Sequence, residues 1–116
     1  MHEKAMHKES CFVTLTYDDI HLPINRSLDY RHFQGFMKRL RFKFSGVPIS
    51  FYMCGEYGSE THRPHYHAIL YGIDFADKVH YRHSKSGERL FKSALLDRLW
   101  SFGLCSLGEV TFESCA

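Results

Sequence analysis

Two histidines flank a single bulky residue in Arg63-Pro64-His65-Tyr66-His67-Ala68-Ile69-Leu70-Tyr71. Side chains of a β-strand alternate between faces, so His65 and His67 project together, about 7 Å apart along the chain. Two imidazoles on one face can share a divalent ion. Glu56, in Cys54-Gly55-Glu56-Tyr57-Gly58, offers a carboxylate to complete the set. A His/His/carboxylate group suits Mn2+, Mg2+ or Zn2+. With open coordination positions, such an ion polarises a phosphate as a Lewis acid. The chemistry indicated is that of a metal-dependent phosphodiester enzyme.

The elements around these residues must bring them together. Residues 11–17, Cys-Phe-Val-Thr-Leu-Thr-Tyr, are β-branched and aromatic and read as a strand that Asp18, Asp19 and Pro23 end. Tyr30, Phe33, Phe36, Met37, Leu40 and Phe44 recur at steps of three and four, the stripe of a helix over residues 28–44 with Ser27 as its N-cap. Gly46 and Pro48 stop it. Residues 49–57 and 65–73 read as strands joined by a turn over 58–64. Residues 79–83 and 89–91 form a hairpin around Ser84-Lys85-Ser86-Gly87. Ser93 caps a short helix that turns Leu95, Leu96, Leu99 and Trp100 inward and ends at Gly103. Residues 104–112 make a last strand. This order predicts a ferredoxin-like α+β domain, an antiparallel sheet with helices on one face. The helices need an apolar sheet face, which Tyr66, Ala68, Leu70, Phe51 and Met53 supply. Both histidines and Glu56 are then left on the open face, on strands about 4.8 Å apart. His2, His7, His21, His32, His62, His80 and His83 read as surface residues, and the Asp18–Asp19 pair as a turn.

Composition sets wide bounds. One domain accommodates 116 residues, and 44% apolar with 16% aromatic residues furnishes a core. A net charge of +2 decides nothing about partners by itself. Cys11, Cys54, Cys105 and Cys115 include no C-x-x-C pair, so a thiolate zinc site is not expected. Reduced thiols in a cytosol are the simplest reading, with neither a signal segment nor a membrane-length apolar run.

The chain resembles the replication initiators of gokushovirus-type microviruses, single-stranded DNA bacteriophages. The resemblance rests on Cys11-Phe-Val-Thr-Leu-Thr-Tyr-Asp-Asp19, His21-Leu22-Pro23, Phe36-Met-Lys-Arg-Leu-Arg41, Tyr52-Met-Cys-Gly-Glu-Tyr-Gly58, Arg63-Pro-His-Tyr-His-Ala68 and Gly108-Glu-Val-Thr-Phe-Glu-Ser114. These initiators are similar to HUH endonucleases, in which U is a bulky apolar residue, here Tyr66. The resemblance implies a sheet of about five strands in a single HUH domain over residues 1–116. It implies a divalent ion, Mn2+ or Mg2+ with Zn2+ also admissible, on His65, His67 and Glu56. It further implies a tyrosine that attacks a DNA phosphate, leaving a 5′-phosphotyrosine link and a 3′-OH that primes rolling-circle replication. In the family that tyrosine follows the Val-Thr-Phe-Glu-Ser segment, so it is expected after Ala116, and the 116 residues alone are expected not to nick. Single-stranded origin DNA is the implied partner, with host replication proteins besides it, and the bacterial cytoplasm the implied location.

DNA contacts are expected from Arg63 beside the histidines, from Tyr52 and Tyr71 stacking on bases, and from Lys78, Arg82, Lys85 and Arg89 of the hairpin, which reads as a projecting basic ribbon. The basic residues of the long helix, Arg31, Lys38, Arg39, Arg41 and Lys43, read as its solvated face. Two other readings stay open: an HUH transposase or relaxase domain, and a non-catalytic DNA-binding module that a metal stabilises.

Overall fold

The structure is a computed structural model that describes residues 9–110. Six strands and two helices follow one another as β1 (Ser10–Leu15), α1 (Tyr30–Lys43), β2 (Ser50–Tyr57), β3 (Pro64–Tyr71), β4 (Val79–His83), β5 (Arg89–Lys92), α2 (Ala94–Leu99) and β6 (Cys105–Gly108). The strands form one antiparallel sheet in the order β2-β3-β1-β6-β5-β4. This is the α+β, ferredoxin-like architecture expected. The sheet has six strands because the β4–β5 hairpin does not project: Phe91 of β5 pairs with Leu107 of β6, which makes β4 an edge strand. The end of the last expected strand, beyond Val110, lies outside the described residues.

Alternation along the central strands fixes which face is buried. Cys11, Val13 and Leu15 of β1 and Tyr66, Ala68 and Leu70 of β3 point into the core with Phe33, Phe36, Met37 and Leu40 of α1. The Phe33 ring lies 5.1 Å from Phe51 and 5.9 Å from Tyr66. Trp100 closes the other side of the core, 5.8 Å from Tyr66, and donates its indole N–H to the Thr16 carbonyl at 2.6 Å. The opposite sheet face, with His65 and His67, carries no helix among the described residues. Ile69 lies on that face too, yet is buried, between its ladder partners Phe12 and Tyr52.

The cap of α1 is Asp29, not Ser27. Its carboxylate accepts the Arg31 backbone N–H at 3.1 Å, and Tyr66 explains the two-residue shift. The Tyr66 hydroxyl donates to the Asp29 carbonyl at 2.7 Å and accepts the Asp29 N–H at 2.9 Å, which pins the helix start to the middle of β3. Ser93 caps α2 as expected: its hydroxyl accepts the Leu96 N–H at 3.0 Å and donates to Asp77 at 2.6 Å.

Two glycines serve close approaches. A Cβ on Gly103 would sit 2.5 Å from the Asp18 nitrogen and 2.6 Å from the Thr16 carbonyl oxygen, where the α2–β6 loop crosses the end of β1. Gly72 combines a φ of +109° with a Cβ position 2.4 Å from the Pro48 carbonyl oxygen, so only glycine turns the chain there.

Candidate metal centre

The β2–β3 turn sets the register that assembles the site. Gly58 donates its N–H to the Arg63 carbonyl at 3.0 Å, and His62 donates its own back to the Gly58 carbonyl at 2.9 Å with a φ of +57°. Glu56 then stands directly opposite His65, and Cys54 opposite His67. On this shared face the Glu56 Oε1 atom lies 3.1 Å from His67 Nε2 and 3.7 Å from His65 Nε2. One donor atom from each of the three residues lies within 4.8 Å of the other two. The imidazole planes stand 85° apart, with centroids 4.8 Å from each other. Glu56 is exposed and both histidines are half-buried, so the cluster opens to solvent from the carboxylate side.

Neighbouring groups orient the rings. Thr14 Oγ1 lies 3.1 Å from His67 Nδ1, and the Arg63 carbonyl lies 3.4 Å from His65 Nδ1. With Nδ1 as the donor, the Nε2 lone pair of each ring faces Glu56, which is the arrangement a metal ligand needs. Phe12 stacks on His67 with the planes 11° apart. Burial pushes the His67 pKa down and the neighbouring His65 adds to the effect, while Glu56 opposes it. The balance favours the neutral imidazole, the form that ligates a metal. Donor types, spacing and ring support all fit a divalent ion.

Thr14 and Phe12 were not legible as site residues. Their position depends on the β1–β3 register, which pairs Thr14 with His67 and Phe12 with Ile69. Strand alternation alone could place them on the right face but not beside the right partner.

The residues expected at DNA are dispersed. Tyr52, opposite Ile69, is 55% exposed on the metal face, and Tyr71 lies four residues along β3 from His67. Arg63 is engaged within the fold: it donates to the Tyr17 carbonyl at 3.0 Å and pairs with Asp19 at 3.0 Å. That contact draws the segment after β1 toward the β2–β3 turn, while Asp18 pairs with His21 instead. The hairpin cations are not opposed by Glu88 alone. Lys78 pairs with Asp74 at 2.8 Å, Lys92 with Asp97 at 3.1 Å, and Arg89 with Glu109. Arg82 lies over the Tyr81 ring and Lys85 sits exposed in the turn. His32 is not merely a surface residue, because its Nδ1 lies 2.7 Å from the Tyr17 hydroxyl, itself 3.2 Å from the Tyr66 hydroxyl.

An antiparallel α+β domain with a His/His/carboxylate cluster on the open sheet face is thus defined by the structure. The sequence pattern of the replication-associated protein ORF2 family matches residues 10–116, and the chain belongs to that family. It is 34% identical over 122 residues to the Replication-associated protein VP4 of Bdellovibrio phage phiMH2K, covering 99% of this chain and 38% of that protein. It is 32% identical over 118 residues to the Replication-associated protein ORF2 of Spiroplasma virus 4, covering 96% and 37%. It is 34% identical over 116 residues to the Replication-associated protein ORF4 of Chlamydia phage 1, covering 94% and 29%. The chain therefore spans well under half the length of these relatives. No solved structure matches it.

Proposed function

We propose that the chain is the metal-binding HUH domain of a phage replication initiator, which binds single-stranded origin DNA and positions one phosphate for nicking and rejoining. The observation that carries this reading is the convergence of Glu56, His65 and His67 in a chain of a phage replication-associated family. These three residues would hold a divalent ion, Mn2+ or Mg2+ in the first instance, which when bound supplies Lewis-acid polarisation of a phosphate oxygen. Thr14 and the Arg63 carbonyl keep both Nε2 atoms aimed at the open face. Phe12, packed against His67, limits water on one side of that ring. Tyr52 presents an aromatic face two residues from the cluster on the ladder, suited to a base beside the bound phosphate.

The nucleophile in this reading is a tyrosine from beyond Ala116. Tyr17 and Tyr66 are buried, and burial pushes both phenol pKa values up, most strongly for Tyr17. Tyr71 is held in regular strand about 13 Å from His67 along the chain. An attacking oxygen must come within about 3.5 Å of its phosphorus. The test is cleavage of labelled single-stranded DNA in Mn2+. Metal-dependent nicking that disappears in His65→Ala/His67→Ala is expected of the whole protein, and nicking that survives the double substitution would overturn the assignment. Residues 1–116 alone are expected to bind the strand and form no covalent adduct. A tyrosyl–DNA adduct on any of the seven tyrosines would contradict the placement of the nucleophile.

A further inference from the structure

On the face of the molecule turned away from Glu56, α1 and α2 enclose an open groove of about 670 Å³. Lys38, Arg39, Phe42 and Lys43 line it from α1, and Leu95, Arg98 and Leu99 from α2. Its floor is apolar and its rim holds four cations and no carboxylate. Phe42 is 83% exposed there, on a helix whose other aromatic residues, Phe33 and Phe36 among them, are buried. A solvated helix back accounts for Lys38, Arg39 and Lys43, but not for an exposed phenylalanine beside two leucines. Arg39 is also fixed in place, donating Nε–H to the Leu99 carbonyl at 2.9 Å, so part of the rim is ordered before anything binds.

We propose that this groove docks an acidic, amphipathic helical segment of a partner protein. Facing stripes on two helices leave a channel that a third helix fills with residues spaced i, i+3, i+4 and i+7. Its apolar side would cover Phe42, Leu95 and Leu99, and its carboxylates would meet Lys38, Lys43 and Arg98. A nucleic-acid strand fits less well: its phosphates would satisfy the rim, but an aliphatic floor with one aromatic ring gives its bases little to stack on. The inference does not depend on the metal reading, because the groove and Glu56 lie on opposite sides of the sheet.

The test uses fluorescence anisotropy with three labelled probes: a synthetic amphipathic peptide of about 18 residues, with leucines on one face and glutamates on the other, its twin with lysine for every glutamate, and an oligo-dT. The acidic peptide is expected to bind, to weaken with added salt, and to lose about tenfold or more in affinity with Phe42→Ala and with Arg98→Glu. Both positions are exposed, so the fold and Mn2+ binding should persist, and Lys38→Glu gives a third variant. Equal binding of both peptides, no binding of the acidic one, or indifference to all three substitutions would overturn the proposal. So would loss of oligo-dT binding in these variants with peptide binding unchanged, which would assign the groove to nucleic acid.

Discussion

At the scale of the residue, Thr14 sets how His67 presents its lone pair. Thr14→Val keeps the side-chain shape and removes the hydroxyl at 3.1 Å from Nδ1. Mn2+ affinity measured by calorimetry is expected to fall about 10- to 100-fold, with the melting temperature little changed. Asp29 gives a pH prediction. The Arg31 guanidinium and backbone N–H hold its carboxyl down to about 2. A carboxylate depressed in the folded state stabilises above its ordinary pKa, about 3.9, and that contribution is lost as pH falls through the folded value. Asp29→Asn should therefore melt below the unsubstituted protein at neutral pH, and the gap should close between about pH 4 and pH 2. A gap constant across that window would contradict the ion-pair account. The histidine pair and Glu56 could be read from sequence because strand alternation needs no knowledge of pairing. Thr14, Phe12 and the anchoring of Arg63 could not, because each depends on which strand lies beside which.

At the scale of the element, capping and close approach decide local stability. Ser93 is buried and joins α2 to Asp77. Ser93→Ala removes the cap and leaves the Asp77 carboxylate without that donor, a loss of about 1–2 kcal/mol. The melting temperature should fall by several degrees. Gly103→Ala should cost more, since the added Cβ meets backbone on both sides rather than a movable side chain. Sequence periodicity located both helices and nearly all strand bounds. It misplaced the α1 cap at Ser27 because it could not see Tyr66 holding both backbone groups of Asp29 from across the core. It made the β4–β5 hairpin a projecting ribbon because nothing local reveals that Phe91 pairs with Leu107.

At the scale of the whole molecule, strand order separates the metal cluster on β2 and β3 from the hairpin at the far edge. Four inter-strand steps, about 19 Å, lie between β3 and β4. A strand of DNA held at Glu56, His65 and His67 must cross β1 and β6 to reach Arg82 and Lys85. With Lys78 and Arg89 already paired to Asp74 and Glu109, the hairpin's contribution should rest on those two. Charge reversal of Arg82 and Lys85 is expected to weaken oligo-dT binding and flatten its salt dependence. No change would confine the DNA to the metal end of the sheet. Among the described residues no helix is long and apolar enough to cross a membrane.

The central claim, that Glu56, His65 and His67 form one divalent-ion site, is tested most directly by calorimetric titration of Mn2+ into the protein and into His65→Ala/His67→Ala and Glu56→Gln. One ion per chain is expected, with binding abolished in the double variant and weakened in Glu56→Gln. Unchanged affinity in the histidine variant would contradict the account.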